Sequence, residues 1–565
     1  MAITGFKSYL KRDYNFKRSF INKISKKVIN LFFDANSLFY EAYRRVYQEE
    51  NLKKSKEKLL EEHLDEIVNM IKKEILDFKP ELNFILAVDG PVNAAKMNQQ
   101  KERRFKKDFD SSSIFDLKAI TPGTDFMFKL DKKLETFLLE NKDILPPNVI
   151  YSSHLDPGEA EHKIFKFIKE NKILKGDGVT VLNALDNDLV VLTTLSELED
   201  IVIVSDDSVK GRSYFDVEIF KRELVNKMKF YDKLENRKIY QDFNIIMSFI
   251  GNDFLHRFPN IPNDMSLILK LLFQNYKFWT KKTLTNYYND IIWENYFTFL
   301  KNLYEYKGKD GKFLYIESYK LRPEIPYKEI VDNTYLRNKE NEIVKEVFDR
   351  ELHTFDFNLQ KFSKDWYQKQ FNNDILQWNG MVLTEVTIKE KMEMVVSYLK
   401  TLQWVQYYYT LGLKSVSDFH YYKYKYTPLM GDVLIILRKI IMERKQEMLR
   451  DVKSNKNKFE ITPIHQLLSV IPKSSKNLLP EEFRKLYNTK KLKTINPETF
   501  IRLEENMREN QEDKIKVLAP LVNLEIVNSL IKDKIPEYMK KKDPLILKKE
   551  NYTVRNFVVT DESLI

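Results

Sequence analysis

Two hydrophobic rhythms run along the chain, and the change between them divides it. In the first 260 residues short apolar runs recur between amphipathic stretches. Val28-Ile29-Asn30-Leu31-Phe32-Phe33, Phe84-Ile85-Leu86-Ala87-Val88 and Val179-Thr180-Val181-Leu182-Asn183-Ala184 read as buried strands, with Ile201-Val202-Ile203-Val204 as a fourth. Helical patterns at 59–78 and 131–140 lie between them. Strand, helix, strand, helix predicts an α/β domain over 1–260, a mostly parallel sheet with helices on both faces. Beyond it the pattern is helical: a connecting region over 261–385 broken by a Gly- and Lys-rich loop at 306–312, a second helical region over 386–490, and a basic segment over 491–565.

Composition narrows the chemistry. Across 565 residues, 43% hydrophobic and 13% aromatic content suffices for a sizeable core. A surplus of 94 Lys and Arg over 83 Asp and Glu leaves +11, which favours a polyanion, nucleic acid first. The absence of Cys excludes disulfides, thiolate zinc sites, iron–sulfur clusters and a cysteine nucleophile. The seven His are scattered without an i, i+4 pair, so any metal must be held mainly by oxygen. No GxGxxG, GxxxxGK[ST] or GxSxG occurs. Neither a secretory core nor a long apolar span is present, which predicts a reducing, soluble compartment with no membrane partner, the cytoplasm by default. The Lys- and Asn-rich composition also suits a viral protein, for which a viral factory or virion is the expected location.

Carboxylates mark the strand ends. Ligands of an open parallel sheet gather outside the carboxyl ends of its strands. The first strand runs into Asp34, the second into Asp89, and the third, after Leu185, into Asp186-Asn187-Asp188. One such Asp is usually a turn or cap residue; three together point to a site. Glu159 and Glu161 follow Pro157-Gly158 at the start of a helix, where acids are also favoured by its dipole. Asp253 follows the apolar run 243–250 and equally suits a turn. Acids gathered in one pocket repel unless cations sit among them, and oxygen ligands suit Mg²⁺ or Mn²⁺. The expectation is two Mg²⁺ ions, replaceable by Mn²⁺, about 4 Å apart, set for phosphodiester hydrolysis. Lys96, Gln100, Arg103 and Arg104 fall within about one third of a helix circumference. They suit a terminal phosphate, an ordinary basic solvent face being the alternative.

In order, these motifs resemble the Xrn-type 5′→3′ exoribonucleases. The resemblance rests on Phe33-Asp34-Ala35-Asn36-Ser37, on Asp89-Gly90 with 95–105, and on Ile120-Thr121-Pro122-Gly123-Thr124. Pro157-Gly158-Glu159 with Glu161-His162-Lys163, Leu185-Asp186-Asn187-Asp188-Leu189 and Ile250-Gly251-Asn252-Asp253-Phe254-Leu255 continue it. Leu402-Gln403-Trp404-Val405, Tyr407-Tyr408-Tyr409, Tyr426-Thr427-Pro428 and Ser474-Ser475-Lys476-Asn477-Leu478-Leu479-Pro480 resemble the family's second conserved region.

The resemblance implies a PIN/flap-nuclease-like fold and a processive exoribonuclease that takes 5′-monophosphorylated single-stranded RNA to nucleoside 5′-monophosphates. It implies Asp34, Asp89, Glu159, Glu161, Asp186, Asp188 and Asp253 as catalytic metal-site acids, with Lys96, Gln100, Arg103 and Arg104 on the 5′-phosphate. Tyr40 stands where the family carries a base-stacking His, and Trp404 is the remaining base-stacking candidate, a weak one for which a core position is the commoner reading, because the family's Gly-Cys-Pro-Ser-Trp-Ser-Trp run appears here as Gly412–Asp418 without either tryptophan. A decapping enzyme upstream is an expected partner, and a monomer the default state. The rival readings are a flap or structure-specific DNA nuclease and a non-catalytic RNA-binding subunit.

Overall fold

The computed structural model describes residues 5–48, 51, 53–106, 114–170, 172–184, 188–196, 198–207, 211–258, 261, 264–306, 367, 387–424, 427–454, 457–497, 501–505, 514–542 and 555–558. Its centre is a sheet formed by β1 (Phe20–Ile21), β2 (Val28–Asp34), β3 (Asn83–Ala87), β4 (Asn148–Ser152), β5 (Val179–Asn183), β6 (Ile201–Asp207) and β7 (Gly211–Asp216). After the hairpin of β8 (Ile501–Glu505) and β9 (Lys514–Leu518), β10 (Arg555–Val558) returns to complete it. The spatial order is β1-β7-β6-β5-β2-β3-β4-β10. The five central strands are parallel and the edges antiparallel.

The four strands expected from sequence are β2, β3, β5 and β6. β4 escapes the hydrophobic pattern because it is five residues long, directly after Pro146-Pro147, with polar Asn148 and Ser152 at its ends. The edge strands β1 and β7 bury less and carry no continuous apolar run.

Successive side chains of a strand face opposite ways, and the sheet uses this to feed two cores. Leu31, Phe33, Phe84, Leu86, Val149 and Tyr151 pack with the helices Asn36–Val46, Lys56–Phe78 and Asp125–Glu140. Phe32, Ile85, Ile150, Leu182 and Ile203 pack with the helices Ala160–Lys169, Leu189–Leu195, Val217–Met228 and Asn236–Ser248. The result is the expected helix–sheet–helix sandwich.

The second core continues into the C-terminal half. Helix Ile388–Leu411 opens with a capping box between Thr387 and Glu390 and ends at Gly412, whose φ of 95° favours glycine. Its Gln406 side chain accepts from Asn244 Nδ2 at 2.8 Å, joining it to helix Asn236–Ser248. A third core packs helix Pro463–Val470 beneath helix Ala94–Lys106, where Met97, Ile464 and Leu467 are fully buried, each of the three worth roughly 1.5–3 kcal/mol. Most of the expected connecting region lies outside the described residues, as do residues 307–312 of its loop. Among the described residues no helix is long and apolar enough to cross a membrane.

Candidate active site

The sheet order explains why distant acids meet. From β2 the chain adds β3 and β4 on one side, then returns to place β5 on the other. The switch lies between β2 and β5, and a crevice forms outside the carboxyl ends there. Asp34 ends β2 opposite Ala87, the last residue of β3, and Asp89 follows two residues later. Glu159 stands at the N-cap position of helix Ala160–Lys169 and Glu161 sits in its first turn.

Hydrogen bonds fix these positions. Asn36 donates its backbone N–H to Asp34 Oδ1 at 3.2 Å and accepts from the Asp89 N–H at 3.2 Å, locking the ends of β2 and β3 together. Asp89 Oδ1 accepts from the Ala160 N–H at 2.8 Å, so a helix N-terminus bonds one strand-end acid. Gly90 donates to Gly158 O at 2.9 Å, and Gly158 to Pro91 O at 2.8 Å. A Cβ at Gly90 would lie 1.7 Å from Asp156 O, so this clasp requires glycine. Lys163 is buried on the same helix and donates to Val88 O at 2.6 Å and Ser153 O at 2.8 Å, stapling the ends of β3 and β4.

The acids press on one another. Burial and the neighbouring charges of Glu159, Asp34 and Asp89 push the Glu161 carboxyl well above its ordinary range. Burial, then Glu159, raises Asp89. Glu159 goes the other way. Burial alone would raise it, but Lys96 and His162 bring it down. The Lys96 ammonium is wedged between Glu159 Oε2 and Asp253 Oδ2, the latter at 2.6 Å, on side chains only 12%, 5% and 2% exposed.

The donor set fits a hard divalent cation. Glu159, Glu161 and His162 offer ligand atoms within 4.8 Å of one another, and the crowded carboxylates need positive charge beyond what Lys96 supplies. Burial lowers His162 to about 4, leaving its ring neutral and able to ligate. His162 is the donor that scanning for paired histidines misses, although it follows the Glu-Ala-Glu run directly.

A cavity of about 520 Å³ joins both constellations. Asp34, Asp89, Glu159 and Glu161 line it together with Tyr40, Lys96, Gln100, Arg103 and Arg104. The four basic and amide residues come from helix Ala94–Lys106, where Gln100 is held by Gln466 at 2.8 Å. Arg104 donates through Nε and Nη2 to Thr121 Oγ1 at 3.0 and 2.9 Å. The Ile-Thr-Pro-Gly-Thr stretch thus supports the basic wall, and Thr124 caps helix Asp125–Glu140.

The other expected residues are placed differently. Asp253 reaches the acids through Lys96, and Asp188 Oδ2 accepts from Tyr409 at 3.1 Å. Asp186 lies outside the described residues, as does Tyr426. Trp404, the weak base-stacking candidate for which a core position is the commoner reading, is fully buried. Its ring stacks on Tyr408 at 4.8 Å and its Nε1 donates to Ser417 O at 2.9 Å, so it is a core residue supporting Tyr408. Tyr408 donates to Glu159 Oε1 at 2.7 Å and packs 4.0 Å from the His162 ring.

Comparisons with known proteins bear on the family. Residues 1–114 and 107–207 match the family described as XRN 5′-3′ exonuclease N-terminus, and residues 360–508 match the Xrn1 helical domain. The chain is 25% identical over 559 residues to 5′-3′ exoribonuclease 1 of Saccharomyces cerevisiae, covering 72% of this chain and 35% of that protein. Against 5′-3′ exoribonuclease 1 of Homo sapiens it is 25% identical over 538 residues, 81% of this chain and 30% of the relative. Against 5′-3′ exoribonuclease 2 of Arabidopsis thaliana it is 23% identical over 557 residues, 72% and 53%. The chain thus spans about a third to a half of the length of these curated relatives. With both regions matched in chain order, it belongs to the Xrn family of 5′-3′ exonucleases.

Proposed function

We propose that this protein is a 5′→3′ exoribonuclease that degrades 5′-monophosphorylated single-stranded RNA processively to nucleoside 5′-monophosphates. The observation that carries the reading is the shared cavity, in which strand-end acids face the same space as a basic helix wall. Its relatives bear the name 5′-3′ exoribonuclease.

In this reading Arg103 and Arg104 clasp the terminal phosphate with their planar forks, while Gln100 adds an amide donor. Tyr40 offers its ring to the first base, since any base has a face to stack on. Asp34, Asp89, Glu159 and Glu161, joined by Asp186, Asp188 and Asp253, hold two Mg²⁺ ions, with Mn²⁺ as a substitute. Bound there, the ions lower the pKa of water and stabilise the leaving oxygen of the phosphodiester. Tyr408 holds Glu159 in orientation, and Asn36 holds Asp34 against Asp89. Release of one nucleotide leaves a new 5′-phosphate for the same wall, so the product of one cycle is the substrate of the next. The expected setting is the cytoplasm, downstream of a decapping activity that supplies monophosphorylated ends.

The test is hydrolysis of one single-stranded RNA bearing a 5′-monophosphate, 5′-hydroxyl or 5′-triphosphate, and its DNA counterpart, with Mg²⁺. Mononucleotides are expected at a far higher rate from the monophosphorylated RNA than from the other substrates, abolished by Asp186→Ala and weakened by Arg103→Ala. Internal cleavage, or indifference to the 5′ end, would sink the exonuclease reading, and preference for DNA would leave a structure-specific nuclease.

A further inference from the structure

Lys118 sits in the short turn Leu117–Ala119, outside the basic helix, yet lines the same cavity as Gln100, Arg103 and Arg104. It is only 8% exposed. Burying an ammonium is costly unless an anion meets it. Asp116 supplies one, with its Oδ1 3.3 Å from Lys118 Nζ, and the same oxygen accepts the Lys118 backbone N–H at 3.0 Å.

Two further contacts tie this turn to the rest of the site. Lys118 O accepts from Thr121 Oγ1 at 2.7 Å, and that hydroxyl oxygen is the one receiving both Arg104 bonds. Asp116 Oδ2 accepts from Ser475 Oγ at 2.8 Å, across 359 positions of sequence. The Ser474-Ser475-Lys476 motif of the second region therefore reaches the cavity wall through Asp116. Lys96 lies between Glu159 and Asp253, two of the acids proposed to take the cations, and lines the same wall. A terminal phosphate carries close to two negative charges at neutral pH. Several cations must meet it, and Lys118 is the one that the turn adds to the wall.

We infer that Lys118 is a phosphate-binding residue for the RNA 5′ end, working with Arg103 and Arg104, and that Asp116 and Ser475 are positioning residues that aim it. This rests on the reading of the protein as a 5′-end-dependent exoribonuclease.

The experiment compares kcat/KM on RNA bearing a 5′-monophosphate or a 5′-hydroxyl for wild type, Lys118→Gln, Lys118→Arg and Ser475→Ala, with melting curves for each. Wild type is expected to prefer the monophosphate. Lys118→Gln should lower the monophosphate value about tenfold or more, the worth of one charged hydrogen bond, and leave the hydroxyl value unchanged. Lys118→Arg should retain most of the preference. Ser475→Ala, which removes a single hydroxyl and leaves the turn intact, should cost a smaller part of it through KM rather than kcat. Equal losses on both substrates, or an unchanged preference in Lys118→Gln and Ser475→Ala, would overturn the assignment and leave Lys118 as a partner of Asp116 only. A wild type that cleaves RNA without regard to its 5′ end would overturn the parent reading and this one with it.

Discussion

The Tyr408 hydroxyl donates to Glu159 Oε1 across 2.7 Å and 249 positions of sequence. Its ring stacks on Trp404 and packs against the His162 ring. Tyr408→Phe removes the hydroxyl and keeps the packing. Loss of a bond that orients a metal ligand costs about 10–100-fold in metal affinity or activity, whereas stability should change by only about 1 kcal/mol. Calorimetric titration with Mn²⁺, beside a melting curve, separates the two; unchanged Mn²⁺ affinity would count against the orienting role.

Lys96 supplies the internal positive charge between Glu159 and Asp253. Lys96→Met leaves two buried carboxylates facing each other, and breaking such a pair typically costs about 3–5 kcal/mol. The loss should be full in EDTA and partly recovered in Mg²⁺, because the cation replaces the ammonium. Thermal unfolding in both buffers checks this, and identical melting of variant and wild type in EDTA would refute it.

Acid should remove the share of stability that the buried histidines carry. Burial lowers His154 to about 3, His420 to about 3 and His465 to about 4, from an ordinary 6.5. The unfolded chain gains protons below pH 6.5 that the folded chain cannot accept. Stability from each histidine is therefore complete above pH 6.5 and is lost as pH falls toward the folded value, about 1.4 kcal/mol per unit. Denaturant unfolding at pH 7.5 and pH 5 measures it. His154→Asn keeps an acceptor for the Gly123 N–H, bonded at 3.2 Å in the wild type, and should flatten the acid limb.

The glycine clasp beside the acids should tolerate nothing larger. At Gly158, φ is 111° and a Cβ would lie 2.3 Å from Leu413 Cδ1, so Gly158→Ala meets strain and overlap together. A destabilisation of about 2 kcal/mol or more is expected, with activity falling further than stability because Glu159 is the next residue. Chemical denaturation paired with a nuclease assay reads both, and a wild-type denaturation midpoint would discount the clasp.

Much of this site was legible because its acids sit at strand ends, where apolar runs stop abruptly at Asp34 and Asp89. The basic face of helix Ala94–Lys106 was legible from spacing alone. Tyr408 and Tyr409 were visible as residues but not as partners of Glu159 and Asp188, since no local pattern encodes a contact across more than 200 positions. Lys118 was hidden for the opposite reason. It lies in a three-residue turn with no periodicity to flag it, and only the folded cavity shows which way it faces. The burial of Trp404 matches its commoner reading as a core residue, with Tyr408 on its own helix and Phe254 and His420 from two other segments around it.

Because Glu159 and Asp188 take hydrogen bonds from Tyr408 and Tyr409, the site is finished in a fixed order during synthesis. The ribosome releases every matched acid, ending with Asp253, well before it reaches helix Ile388–Leu411. A nascent chain thus carries these acids beside its own message before Tyr408 and Tyr409 exist to bond Glu159 and Asp188.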